Sequence, residues 1–401
     1  MKRKIHIMII CISLLILLTG CWNRRELNEL AIVTGLGIDK SGDQFIVSTQ
    51  VVNPREISTK GGSSTGKTPV IVYKKKGTTI FEAIRKITTV SPRKLYFAHL
   101  QILVLEEELA KKGIGETLDF LLRDHELRTD FYIVIAKGTN ASNVLKVLTQ
   151  LENIPTNQLF ASLETSQKTW APTISITLEQ LSSEIVSDGI ETNITGIVID
   201  GDVQTGGEQE NVQQIESSTK MQYKGIGVFK DDKLIGWLDE DESKGLNYVL
   251  GKVKSTIVNV PCKNKGKTGI EVIRTKSDLK TRLSNGTLKG TVKLQVEGNI
   301  ADVECRTLDL KKTKTISDIE KKTENIIKGQ IEKALKINQE EYKTDLFGFG
   351  KALHRSEPVY WKKVKKEWKQ KFSDMPVTVE VNVKIRRIGT IGDSPLNKIK
   401  E

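Results

Sequence analysis

Two kinds of apolar pattern alternate along the first half of this chain. Short β-branched runs predict buried strands, and longer stretches with apolar residues at three- and four-residue spacing predict amphipathic helices. The predicted strands are residues 31–38, 45–52, 69–73, 99–105, 131–136 and 194–199. The predicted helices are residues 78–90, 106–112, 114–122, 142–151, 159–169 and 177–187. Strands that alternate with helices are typical of a mixed α/β fold, which we therefore predict for residues 21–199.

The pattern changes at residues 200–220, which we predict to be a linker or a long exposed loop. This stretch contains no aromatic residue, is rich in Gly, Gln and Glu, and has five acids against Lys220. After it, residues 221–275 predict a middle domain made of a hairpin, a helix over 239–250 and two strands.

Residues 276–388 predict a C-terminal α/β domain built around one long amphipathic helix. Six apolar residues mark one face of that helix: Ile316, Ile319, Ile326, Ile327, Ile331 and Leu335. A second helix over 358–372 precedes an alternating strand over 377–385, and the tail 389–401 is predicted to fray. The predicted fold class is therefore α+β or mixed α/β, with three mixed sheet-and-helix domains.

The first twenty residues are a separate element, a predicted secretory signal peptide. Basic residues at 2–4 precede an apolar run from Ile5 to Leu18, and small residues precede Cys21. Fourteen residues at about 1.5 Å each fall short of the ~20 needed to span a bilayer. The ending Leu18-Thr19-Gly20-Cys21 resembles the lipobox of bacterial lipoproteins, whose cysteine thiol receives a diacylglyceryl group. We therefore expect lipidation of Cys21, since two acyl chains give durable attachment; an ordinary signal with a chance cysteine is the alternative.

Composition narrows the classes of partner. The 401 residues are 38% hydrophobic and 28% charged, and no second apolar run is long enough to span a bilayer. The net charge of +12 falls to +9 without residues 1–20, which suits a position beside anionic lipid or cell-envelope polymer. No nucleic-acid partner is expected for an exported protein. Cys262 and Cys305 could form a disulfide there or remain two reduced, buried cysteines, and the sequence leaves both possibilities open.

One stretch matches a nucleotide-binding expression without the expected context. Residues 61–68 fit G-x-x-x-x-G-K-[ST], in which backbone N–H groups cradle phosphates. Such a loop needs a buried strand directly before it and a helix directly after it. Here Val52 lies nine residues upstream, and residues 69–73 favour a strand. We therefore expect residues 54–69 to form a flexible loop in which Lys67 binds no nucleotide.

Candidate catalytic chemistry is sparse. Beyond the signal the histidines are His99, His125 and His354, and no H-E-x-x-H, G-x-S-x-G or paired C-x-x-C occurs. Residues 123–126, Arg-Asp-His-Glu, could be a metal or acid/base site. A charged corner that makes ion pairs and caps is the favoured interpretation, because no second ligand cluster is visible. We expect no catalytic residue, no cofactor and no metal.

A basic segment near the C-terminus allows two interpretations. Residues 351–372 contain eight Lys or Arg against Glu357 and Glu367, a net charge of +6. Four apolar residues follow one helical face: Trp361, Val364, Trp368 and Phe372. The favoured interpretation packs this face into the core and leaves the lysines in solvent, and the alternative is a membrane-contacting helix.

Six segments spread along the chain together resemble one family. They are residues 20–27 (GCWNRREL), 91–94 (SPRK), 120–128 (FLLRDHELR), 170–172 (WAP), 245–249 (GLNYV) and 345–350 (DLFGFG). In this combination the chain is similar to the Ger(x)C family of spore germination lipoproteins, the C subunits of nutrient germinant receptors. The resemblance implies three mixed α/β domains and lipid attachment at Cys21 on the outer face of the spore inner membrane. It also implies assembly with integral-membrane A and B subunits, and it carries over no catalytic residue.

Three function classes remain: a non-catalytic receptor subunit required for the response of dormant spores to germinants, an extracytoplasmic solute-binding lipoprotein, and an envelope enzyme. A solute-binding lipoprotein normally has a flexible tether and two doubly wound lobes joined by a hinge. This chain shows neither a tether after Cys21 nor regular βαβ repetition. The resemblance favours the receptor subunit.

Overall fold

The chain forms two β-sheets and a set of helices, which confirms the predicted mixed α/β fold. The computed structural model describes residues 3–6, 8, 26–57, 67–263, 265–305 and 308–389, so Cys21 lies outside the described residues. The first sheet, here the N-terminal sheet, contains β1 (Leu30–Ser41), β2 (Gln44–Val52), β3 (Val70–Gly77), β4 (Lys94–Tyr96), β5 (Ile102–Glu106), β6 (Tyr132–Ala136), β7 (Asn193–Asp200), β8 (Lys220–Lys230) and β9 (Lys233–Leu238). The second, or C-terminal, sheet contains β10 (Thr256–Pro261), β11 (Lys267–Ser284), β12 (Thr287–Val303) and β13 (Val377–Arg387).

Helices connect and cover these strands. In chain order the described helices are Pro54–Ile57, Ile80–Ile87, Glu107–Lys112, Gly115–Arg123, Ala141–Val144, Pro155–Thr169, Leu178–Ile185, Val203–Gly206, Glu210–Gln213, Glu240–Val249, Thr313–Lys336, Phe349–Ser356, Pro358–Val364 and Trp368–Ser373. We call Thr313–Lys336 the long helix; it continues as a π-helical segment over Ile337–Tyr342.

The N-terminal sheet has parallel strands at its centre and antiparallel strands at its edges. The strand order is β3-β2-β1-β5-β6-β7-β8-β9, with β4 also paired to β1. Strands β1, β5, β6 and β7 are mutually parallel, whereas β2, β3, β8 and β9 join through antiparallel pairs. The parallel strands read as continuous apolar runs because helices cover both faces of the sheet.

Two separate cores confirm this two-sided cover. On one face, Ile84, Leu118 and Leu181 of three helices pack against the sheet. On the other face, Leu159 and Leu163 of helix Pro155–Thr169 pack against it.

The C-terminal sheet is covered on one face only. Along β12, the buried residues Val292, Leu294 and Val296 alternate with the exposed Lys293 and Gln295. The buried face packs against apolar residues of the long helix, namely Ile319, Ile327 and Ile331. The alternating pattern of β12 and β13 is therefore that of a sheet buried on one face and exposed on the other.

Several predicted boundaries shift in the structure. The cap of the helix predicted over 78–90 is Thr79, whose hydroxyl accepts the Glu82 N–H at 3.1 Å, while Thr78 donates to the Glu82 carboxylate. The helix predicted over 142–151 is only Ala141–Val144.

Strand pairing crosses two of the proposed domain boundaries. Residues 200–220 connect β7 to β8, which are neighbouring strands of one sheet, and this connection includes two short helices. Residues 221–275 supply β8 and β9 to the N-terminal sheet, and β10 with the start of β11 to the C-terminal sheet. The boundary proposed at 275 falls inside β11. The division into three domains stays a prediction.

Candidate functional site

A surface pocket of about 420 Å³ is lined by two helices of the N-terminal region, Ile80–Ile87 and Gly115–Arg123, and by the chain around β4. We call it the Phe81–Phe120 pocket, since those two rings face each other with centroids 6.3 Å apart. The rest of its apolar wall consists of Ile84, Leu95 and Phe97. Its size and mainly apolar wall are typical of small-ligand sites.

Helix Ile80–Ile87 presents one face to the sheet and another to the pocket. Ile80, Ala83, Ile84 and Ile87 are buried and fix the helix on the sheet. Phe81, Arg85 and Thr88 lie at four- and three-residue spacing and line the pocket. Sequence reasoning assigned Phe81 only to the helix's apolar pattern. Its place four residues before Arg85 was the available signal that it faces outward.

Most charges at the rim of the pocket are already paired. Arg123 Nε donates to both carboxylate oxygens of Asp119, at 2.9 and 2.8 Å, and this interaction lowers the pKa of Asp119. Lys94 forms an ion pair with Glu126, and Asp124 accepts the Glu126 backbone N–H at 2.9 Å. The interpretation of residues 123–126 as a charged corner of ion pairs and turn caps is confirmed.

Arg85 differs from the other cations of the pocket. Its guanidinium lies 4.8 Å from the centroid of the Phe81 ring. Within the described part of the chain, no carboxylate lies within ion-pair distance of Arg85. The pocket thus combines aromatic walls with one cation that has no carboxylate partner there.

The three predicted histidines do not share this pocket. Only His125 lines it. The His99 ring lies 5.9 Å from Tyr96, and His354 stacks on Trp361 at 5.8 Å. Across the described ranges, no group of three or more His, Cys, Asp or Glu side chains is arranged to hold a metal ion.

The pocket lies beside the start of the first strand. Lys94 of β4 pairs with Leu30, the first residue of β1. Leu30 follows Cys21 by nine positions, so an extended chain spans at most about 30 Å between them. Two of the family-like segments, 91–94 and 120–128, also meet at this pocket through Lys94 and Glu126. No helix in the described residues is long and apolar enough to cross a bilayer.

The nucleotide-binding expression lies mostly outside the described residues, which resume at Lys67. Thr68 donates its hydroxyl to the carbonyl of Val70 at 2.8 Å, and the chain then enters β3. A strand rather than a helix follows the lysine, as predicted from residues 69–73.

Cys262 and Cys305 form a disulfide, which resolves the choice that the sequence left open. The bond joins the end of β10 to the chain just after β12, and Cys305 is 6% exposed. The cross-link therefore closes the end of the C-terminal sheet at which β11 begins.

The two sheets meet at a buried carboxylate that the sequence reasoning did not single out. Asp345 accepts the backbone N–H groups of Phe347, Gly348 and Gly350 at 2.8–3.1 Å and the indole N–H of Trp368 at 3.1 Å. Burial raises the pKa of Asp345 to about 6, although these donors favour the carboxylate and oppose that rise. The Asp345 carbonyl also accepts the N–H of Glu191, which leads into β7.

A close backbone contact accompanies this junction. A Cβ on Gly350 would lie 2.7 Å from the Cα of Gly189 and from the Trp368 ring. Lys351 N–H donates to the Gly189 carbonyl at 2.9 Å. Glycine is therefore required at 350 by the approach of two chain segments.

The basic segment 351–372 packs its aromatic face inward, so the favoured interpretation is confirmed. Trp361, Val364, Trp368 and Phe372 are all buried in the core of the C-terminal sheet. The predicted single helix over 358–372 is interrupted at Lys365–Glu367. Its lysines are not all simply solvated. Lys365 lies 3.3 Å from Asp188, and Lys369 lies 3.1 Å from Asp231, so this segment forms ion pairs with the N-terminal region.

These features define a class of protein: a mixed α/β chain with a two-sided sheet, a one-sided sheet closed by a disulfide, and a buried junction between them. Comparison with known families identifies the group. Residues 23–199 match the spore germination protein N-terminal domain, and residues 224–389 match the family described as spore germination B3/GerAC like, C-terminal. The chain belongs to this GerAC-like, or Ger(x)C, family of spore germination proteins, which confirms the resemblance found in the sequence.

Individual relatives cover nearly the whole chain. It is 32% identical over 396 residues to spore germination protein KC of Bacillus subtilis (strain 168), covering 97% of each chain. Spore germination protein A3 of the same organism is 26% identical, covering 98% of this chain and 99% of the relative. The crystal structure of the GerBC protein matches with a TM-score of 0.54 at 21% identity, covering 88% of this chain and 96% of that one. That match supports the fold.

Proposed function

We propose that this chain is the non-catalytic, lipid-anchored C subunit of a nutrient germinant receptor, required for dormant spores to respond to germinants. The observation that carries the proposal is the 32% identity to spore germination protein KC along 97% of both chains. Spore germination proteins B3 and A3 align over a similar extent.

The anchor in this proposal is a diacylglyceryl group on Cys21, at the outer face of the spore inner membrane. The lipobox-like ending at Cys21 and the net charge of +9 after residue 20 support it. Integral-membrane A and B subunits are the proposed partners. A lipid anchor with almost no tether raises the effective concentration of this chain beside such partners, because both are confined to one surface.

The proposed role is one of contact rather than catalysis. Its support is the charged corner at 123–126. Asp124 and Glu126 of this corner, and Asp119 which pairs with Arg123, all serve ion pairs or turn hydrogen bonds. Carboxylates used in this way stabilise local structure and leave the response to depend on surfaces.

Replacement of Cys21 tests the anchor and the receptor role together. Cys21→Ala should leave an unprocessed or released protein and spores with a nutrient germination defect. Cys11→Ala is the matched control, since it removes another leader cysteine and should change neither localisation nor germination. Crosslinking in spore membranes, with mass spectrometry of the products, should recover the A and B subunits with the native chain. A Cys21→Ala protein that stays membrane-bound and fully active would contradict the proposal.

Histidine replacement tests the absence of a chemical role. His99→Ala, His125→Gln and His354→Ala should reduce the nutrient response only as far as each lowers protein abundance. Germination rate is therefore plotted against abundance for the three variants. Loss of response in one variant at normal abundance, localisation and partner assembly would require a catalytic function.

A further inference from the structure

We infer that the Phe81–Phe120 pocket binds one acyl chain of an anionic lipid taken from the bilayer. The inference uses the proposed lipid on Cys21 only to place the pocket close to the membrane. Its test below uses protein without that lipid, so failure of the inference and failure of the proposed function are distinguishable.

The wall of the pocket selects an apolar ligand. The Phe81 and Phe120 rings lie 6.3 Å apart, and Ile84, Leu95 and Phe97 complete the lining of a cavity of about 420 Å³. Phe81 remains 47% exposed, an unusual position for a phenylalanine on a short, capped helix. A ligand that covers this ring removes apolar surface from water, which is favourable.

The charges of the pocket leave one cation available to a negatively charged ligand group. Lys94 and Arg123 are neutralised by Glu126 and Asp119. Arg85 is the lining cation without a carboxylate within ion-pair distance in the described ranges. Asp124, which accepts the Glu126 backbone N–H, is the lining acid without a Lys or Arg partner in the described ranges, so a zwitterion is the competing ligand. One cation above an apolar wall matches an anionic headgroup joined to an acyl chain.

The position of the pocket favours a lipid from the bilayer over a free solute. Lys94 pairs with Leu30, and only eight residues lie between Leu30 and Cys21. Leu30, whose strand partner Lys94 lines the pocket, therefore lies at most about 30 Å from the proposed anchor. The lipid on Cys21 is a second possible source of an acyl chain, but its thioether-linked diacylglycerol has no anionic group for Arg85.

Binding is measured on the mature chain carrying Cys21→Ser, by titration calorimetry with straight-chain fatty acids below their micelle concentrations. Each added methylene should tighten binding about fourfold until the pocket is full, after which the affinity should reach a plateau. The matching neutral alcohols should bind roughly three- to tenfold more weakly, because they lack the charge that Arg85 recognises.

Three variants locate the site. Thr88→Trp narrows the pocket from an exposed position and should weaken fatty-acid binding at least tenfold in protein with a native melting curve. Arg85→Gln should abolish the preference for the acid over the alcohol and leave alcohol binding unchanged. Lys86→Gln is the matched control. Lys86 is the next residue on the same helix, pairs with Glu82 at 2.7 Å and does not line the pocket, so binding should not change.

The lipidated protein distinguishes the two possible sources of the acyl chain, a bilayer lipid and the lipid on Cys21. Protein purified from membranes should carry a co-purifying anionic phospholipid, detected by native mass spectrometry, and Thr88→Trp should lose it. If the Cys21→Ser protein binds fatty acid but the lipidated protein does not, the lipid on Cys21 occupies the pocket, and the assignment to bilayer lipid is overturned. The pocket is not an acyl site if no saturable binding occurs, if Thr88→Trp binds normally, or if zwitterionic amino acids bind more tightly than the fatty acids.

Discussion

The two sheets are covered to different extents, and this difference decides how each is stabilised. In the N-terminal sheet, Leu103, Val104 and Leu105 are consecutive and all 0% exposed, because helices cover both faces. In the C-terminal sheet, β12 alternates buried and exposed residues under one layer of helix. A strand covered on one face buries about half as many side chains, so the C-terminal sheet gains less from burial per residue.

The C-terminal sheet compensates with specific links. It has long strand pairs over β11 and β12, a disulfide at one end, and a buried junction to the N-terminal region around Asp345. Each link is local and can be removed by one or two substitutions. We therefore expect single substitutions in the disulfide or in the Asp345 junction to destabilise the C-terminal sheet more than the N-terminal sheet.

The largest effect is expected at the junction. Asp345→Ala leaves three backbone N–H groups and the Trp368 indole N–H buried without an acceptor, and should lower the free energy of unfolding by roughly 3–5 kcal/mol. Denaturant unfolding followed by tryptophan fluorescence measures the change. The matched control is Asp309→Ala, which removes a partly exposed carboxylate that also accepts a backbone N–H, from Lys311, and should cost much less because water can replace that carboxylate as the acceptor. Equal losses of unfolding free energy in the two variants would show that the buried hydrogen bonds of Asp345 do not stabilise the fold.

The disulfide should be next. Cys262 and Cys305 are 43 residues apart, and the chain-entropy description gives about 4 kcal/mol for closing such a loop, with 2–4 kcal/mol typical of measured bonds. Cys262→Ser with Cys305→Ser should therefore destabilise the protein and raise hydrogen exchange in β10, β11 and β12. Exchange in β5 and β6, which lie in the other sheet, serves as the internal control. Uniform loss of protection in both sheets would show that the two do not differ in this way.

Sequence patterns predicted strands in both sheets but did not predict the pocket or the junction. The alternation in 377–385 and the apolar run at 131–136 correspond to β13 and β6, and the run at 99–105 contains most of β5, which begins three residues later at Ile102. Burial on one or two faces leaves such a direct pattern. The pocket was not predicted. Phe81 and Phe120 are far apart in sequence, on two helices whose contact forms only in the folded chain. Asp345 lies in a family-like segment, but its hydrogen bond to Trp368 joins positions 23 residues apart that no local pattern connects.

The pH dependence of the junction has a definite sign. The pKa of Asp345 is raised from 3.8 to about 6, so the folded state holds the proton more tightly than the unfolded state. This group stabilises the fold fully below pH ~4, and that contribution is lost as pH rises through ~6, a change of roughly 2–3 kcal/mol. Glu191, whose pKa burial also raises, adds a change of the same sign. Unfolding free energies at several pH values, for native protein and Asp345→Asn, isolate the Asp345 part as the difference in slope. Parallel curves would contradict the assignment.

The smallest effect is expected where the junction reaches solvent. Lys369 lies 3.1 Å from Asp231 and 3.7 Å from Glu191, but it is 45% exposed, so water and salt screen both pairs. A double-mutant cycle of Lys369→Gln with Asp231→Asn should give a coupling free energy of about 0.3–1 kcal/mol that falls as salt is added. Lys362→Gln, on the same basic segment but with no ion pair among the described residues, should show no coupling to Asp231. Because Glu191 keeps only the Asp231 N–H once Lys369 is gone, Lys369→Gln alone should cost slightly more than the coupling. A coupling that is zero at low salt would mean that Asp345 and the buried aromatic residues, rather than this charged rim, hold the two sheets together.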